Sequence, residues 1–118
     1  MHIRKSLGVL TAALAVVAVS PVFAAELAGD CKQPPGPVIP DGSAATEEQL
    51  IQAQTDVKHF LGEADVYLAC LKKAESGLDP ETEEHRRHAL TTAHNEMVDQ
   101  MHLIGDEFNV AVRRFNNR

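Results

Sequence analysis

No stretch of this 118-residue chain carries a glycine-rich phosphate loop, and none of its serines or threonines sits in a nucleophile elbow or a triad context. Those absences exclude the common nucleotide-binding and acyl-transfer chemistries, and the sequence is read as that of a non-enzymatic protein with no cofactor. Basic residues are also scarce, 11 against 17 acidic ones, a balance that repels nucleic acid and anionic lipid. After residue 24 there is no apolar run long enough to span a membrane. Only two cysteines are present, Cys31 and Cys70.

What is present begins with MHIRKSLGVLTAALAVVAVSPVFA. Arg4 and Lys5 make a short basic start, Leu7 to Val19 is an apolar run, Pro21 breaks it, and Val22-Phe23-Ala24 suits peptidase cleavage before Ala25. This is the pattern of a signal peptide over residues 1–24. Cleavage there removes Arg4 and Lys5, leaving nine basic residues against 17 acidic and a charge of −8. Asp30 separates Leu27-Ala28-Gly29 from Cys31, which argues against a lipid-modified cysteine. Export to the periplasm or beyond makes a Cys31–Cys70 disulfide the expected pairing.

Residues 25–45 hold Pro34, Pro35, Pro37 and Pro40 together with Gly36 and Gly42. Prolines lack the N–H that helices and central strands use, so this is a proline-rich arm in polyproline II or turns. Pro40-Asp41-Gly42 is a turn signal.

A helical domain follows over 46–118. Thr46 and Gln49 form the capping box T-x-x-Q, with Glu47 and Glu48 well placed in the first turn. Leu50, Val57, Leu61, Ala64, Leu68 and Leu71 then recur at alternating three- and four-residue spacing, with Gln54 the one polar member. Gly77 is a helix-ending residue and Leu78 its hydrophobic companion. Asp79-Pro80 restarts the chain as N-cap and first helical residue. The second seam is Leu90, His94, Met97, Met101, Ile104, Phe108, Ala111 and Phe115. The expected helices are therefore about Glu47–Ser76 and about Pro80–Asn116. They make an all-α fold, an antiparallel, coiled-coil-like two-helix hairpin.

The arm can reach the second cysteine. Cys70 lies about 24 residues beyond Thr46, or roughly 36 Å up the helix, and the 15 residues from Cys31 to Thr46 span roughly 46 Å in polyproline II. Cys70 falls off the seam, in line with His59, Glu63 and Val66, and Gly62 beside that line leaves room for a backbone. The arm is expected to be strapped to the outside of helix one.

Two metal candidates are visible. His94, Met97 and Met101 share a helix face with copper-binding chemistry, although all three also belong to the core seam, where methionine fills gaps. Glu81, His85 and His88, with Glu84 adjacent, share a solvated face with zinc-type ligands, as do Asp99, His102 and Asp106. One helix face supplies only part of a metal's coordination shell, and a charged helix surface produces such spacings unaided.

Three phrases, PVIPDGSAATEEQLIQAQTDVKHF at 37–60, YLACL at 67–71 and HNEMVDQMHLIGDEFNVAVRRF at 94–115, resemble a family of small, uncharacterised exported helical proteins of Gram-negative bacteria. The resemblance implies an exported helical fold and carries no functional residues across.

The expected role is a periplasmic helical binding or envelope-structural module that self-associates or docks a protein client. Phe60 and Tyr67 on helix one, and Leu103 and Val110 on helix two, flank the seams and are the expected interaction surface. The alternative is a periplasmic copper or zinc binder.

Overall fold

The computed structural model describes residues 29–118; the expected signal peptide at 1–24, its cleavage point and the start of the arm lie outside the described residues. Among the described residues two helices form, α1 over Glu47–Ser76 and α2 over Glu84–Asn116, and they pack against one another as a helical hairpin. Residues 31–41 belong to neither helix nor strand.

The start of α1 follows from its capping box. Gln49 N donates to Thr46 Oγ1 at 3.2 Å, while Thr46 N donates to Gln49 Oε1 at 2.9 Å, so each satisfies a helix-end group that would otherwise lack a partner. At its other end Gly77 stays in the right-handed region (φ −85°, ψ −5°) and not the left-handed one typical of a glycine stop. The exit is a tight turn in which Leu78 N donates to Glu75 O at 3.1 Å. Leu78 packs on the core, as expected of it.

The second helix starts four residues later than the sequence suggested. Asp79 does not cap α2. Its Oδ1 accepts from Glu81 N at 2.9 Å and its carbonyl from Glu83 N at 2.9 Å, while Glu83 Oε2 accepts from Asp79 N at 2.8 Å. These bonds close a separate turn over 79–83, and α2 begins after it with no side-chain cap on its first turn. An Asp side chain bonds the backbone two residues on as readily as a helix end, and here the local turn wins.

The core joins Val57, Phe60, Ala64, Tyr67 and Leu71 of α1 to Leu90, Met97 and Ile104 of α2. A smaller cluster joins Ala45 and Leu50 to Ala111. Phe60, Leu71, Leu90 and Met97 are the largest fully buried side chains, each stabilising by about 1.5–3 kcal/mol through removal from water. The α2 seam is the expected one, with Leu90, Met97, Ile104 and Ala111 buried and His94, Met101, Phe108 and Phe115 half-buried. On α1 the seam is rotated. Ala53, Phe60 and Tyr67 are buried, whereas Leu61 and Leu68 are half-buried and Gln54 is exposed.

The rotation has a cause. Cys31 and Cys70 are bonded across 39 residues of sequence, with their Cα atoms 5.6 Å apart. The segment between Cys31 and α1 lies against both helices and not only against the outside of α1. Pro34 and Pro35 line a groove with Glu63 and Val66. Farther along, a Cβ on Gly36 would come within 2.8 Å of the Gln100 side chain, and one on Gly42 would collide with the backbone carbonyl of Ala111. Ile39 packs on both apolar clusters. Phe60 lines a groove with Pro35, Gly36, Pro37 and Val38, so the segment lies on its side of α1. Gly62, expected to make room for the segment, faces open space.

Candidate functional site

The residues singled out for metal binding are not gathered into a site. Glu81 belongs to the turn before α2, its N–H held by Asp79, while His85 and His88 are exposed on the helix itself. Met97 is fully buried in the core, and His94 and Met101 are half-buried beside it, so the Met97 thioether is enclosed by packing. Among the described residues no group of three or more His, Cys, Asp or Glu side chains is placed to hold a metal ion.

The expected interaction surface divides. Phe60 and Tyr67 are only 2% and 5% exposed, absorbed into the chain's own core, and do not contribute to a surface. Burial raises the Tyr67 phenol above its ordinary range, and the neighbouring negative charge of Glu96 adds to the effect. Leu103 is 57% exposed. Val110 is half-buried and lines a shallow groove with Ile39, Pro40, Asp106 and Glu107.

That groove lies where the leading segment meets the end of α2. Asp41 Oδ1 accepts from Ser43 N at 3.0 Å and from Ser43 Oγ at 2.8 Å, and stands 3.8 Å from the Arg114 guanidinium. The hydroxyl and amide of Ser43, and then Arg114, hold the Asp41 carboxyl below its ordinary pKa. Its carbonyl accepts from Ala44 N and Ala45 N. Arg118 closes the same end, donating to Ala45 O at 2.7 Å while its guanidinium lies 4.3 Å from the centre of the Phe115 ring. This set of contacts fastens the segment to the end of α2.

No protein-family model, curated protein or solved structure matches the chain.

The hairpin therefore has two unlike faces. One is covered by the segment from Cys31 to Ala45. The other carries Val98, Met101, Gly105, Phe108 and Val112 of α2, all half-buried, with Leu61 and Leu68 of α1 beside them. A Cβ on Gly105 would meet nothing within 4 Å. Sequence reasoning placed Met101 and Phe108 in the core seam and gave Gly105 no part. The available signal was their joint spacing, which makes one stripe without a charged residue. No helix among the described residues is long and apolar enough to cross a membrane.

Proposed function

We propose that this protein is an exported, non-enzymatic module of the periplasm, an antiparallel helical hairpin strapped by its proline-rich arm, that works by self-association in a binding or envelope-structural role. The observation that carries the reading is the unequal treatment of the two faces. One apolar face is sealed by the arm, and the other is left half-exposed along α2. A chain of this size gains stability when a second element covers such a face. The disulfide supports an oxidising compartment, where such bonds persist. The resemblance to small exported proteins of Gram-negative bacteria agrees with that location.

The periplasmic copper or zinc binder has no comparable observation in its favour, because the candidate ligands are dispersed or packed away. Sedimentation velocity on the exported protein, together with metal analysis after desalting, tests the choice. A dimer or larger species without stoichiometric metal is expected. A stable monomer at high micromolar concentration holding one equivalent of metal would reverse it.

A further inference from the structure

The uncovered face is distinguished by its lack of charge. Along α2 the positions 91, 94, 98, 101, 105, 108, 112 and 115 hold Thr, His, Val, Met, Gly, Phe, Val and Phe, with no Asp, Glu, Lys or Arg among them, and the Arg118 guanidinium over the Phe115 ring closes the far end. Over the same stretch Glu96, Asp99, Asp106, Glu107, Arg113 and Arg114 all project elsewhere on the helix. In a chain whose residues are 24% charged, this is where the surface charge has been cleared.

We propose that this face is the dimer interface, and that its occupant is a second copy of the same chain, the two hairpins packing face to face through the α2 stripe and the α1 edge beside it. The charge of −8 left after cleavage before Ala25 makes two copies repel wherever their acidic surfaces meet, and a charge-free stripe is the approach that avoids this. The α1 edge of the same face alternates Lys58, Asp65 and Lys72, so a two-fold partner can set unlike charges opposite one another at the rim. The size is suitable. From Thr91 to Val112 its open part runs about 32 Å, and the face spans both helices, about 20 Å across, giving roughly 600 Å² per chain, at the low end of a standard specific interface. Gly105 sits mid-stripe with open space above its Cα, so the two α2 backbones can approach closely there.

This proposal rests on the self-association proposed above, and the test separates the two. Gly105→Arg places a charge in the middle of the face without a clash inside the protomer. Leu103→Asp changes the exposed leucine of a different α2 face and serves as the control. Each exported protein, its N-terminus confirmed by mass spectrometry, is taken through a concentration series in sedimentation velocity and circular dichroism. The expected result is a wild-type dimer, a Gly105→Arg protein dissociating at least about 100-fold more readily with helicity intact, and a Leu103→Asp protein that dimerises like wild type. A wild-type dimer that survives Gly105→Arg, or that Leu103→Asp disrupts, would overturn the interface and leave self-association standing. A wild type that stays monomeric to high micromolar concentration would overturn both.

Discussion

Gly42 lies directly against the carbonyl of Ala111, with no room between them for a side chain. A residue ahead of the first helix thus fixes where the leading segment crosses the end of the second. The contact is between two backbones, neither of which can swing aside as a side chain can.

Three glycines should consequently respond differently to alanine. Gly42→Ala forces the segment off α2 and should cost at least about 1–3 kcal/mol, the usual range for overpacking. Gly36→Ala meets the movable end of Gln100 and should cost less. Gly62→Ala, in an exposed helical turn with nothing within 4 Å, should stabilise by about 0.5–1 kcal/mol. Urea denaturation of the three variants checks the order, and an indifferent Gly42→Ala would show that the segment does not dock as described.

Breaking the disulfide should loosen the same segment from its other end. With Cys31 and Cys70 separated by 39 residues, the chain-entropy relation gives about 4 kcal/mol of stabilisation. Cys70→Ala should lower the melting temperature and open the chain to proteolysis between Pro34 and Pro40. Non-reducing peptide mapping of the wild type should recover the two cysteines in one linked pair.

The single tyrosine offers a clean optical titration. Tyr67 is expected to ionise above 10.0, because burial and then Glu96 disfavour the phenolate. Its folded-state value is raised, so its contribution to stability is intact below pH 10 and is lost as pH climbs through the raised value. Ultraviolet absorbance and circular dichroism followed together should show ionisation accompanied by loss of helix. A phenol titrating at its ordinary value in a fully helical protein would contradict the burial.

Asp41 should behave in the opposite sense. Ser43 and Arg114 hold its carboxyl below 3.8, so the turn it organises is supported above that pH and released as pH falls through the lowered value. A carboxyl resonance titrating below 3.8 is expected by NMR, and Ser43→Ala, which removes the 2.8 Å hydroxyl bond to Asp41, should move it back upward.

Much of this fold was legible in the sequence because it is locally encoded. The capping box at Thr46 and Gln49, the span of α1, the α2 seam and the cysteine pairing all follow from residues close in sequence or from simple reach. The misjudged features depend on tertiary context. Helix one carries two candidate registers beside Leu50, Val57, Ala64 and Leu71, one through Ala53, Phe60 and Tyr67 and one through Leu61 and Leu68, and periodicity alone does not choose between them. The choice is made by the side on which the leading segment docks, which is set by Gly36 and Gly42, read in the sequence only as chain breakers. Asp79 was ambiguous for a different reason: the same side chain suits a helix cap or an isolated turn. For the candidate surface, the stripe from Val98 to Phe115 was readable as apolar, but which part lay uncovered depended on that same docking.

The covalent link between Cys31 and Cys70 also sets how the molecule would carry tension. A pull applied between residue 31 and Arg118 passes through the sulfur atoms into the last turns of α1, around the 79–83 turn and along α2. Residues 32–45 and α1 up to Cys70 stand outside that path, a slack loop held in reserve. Reduction of the one bond would place them in series and lengthen the tether by the contour of the 39-residue separation, turning a stiff strut into an extensible leash without any change to α2.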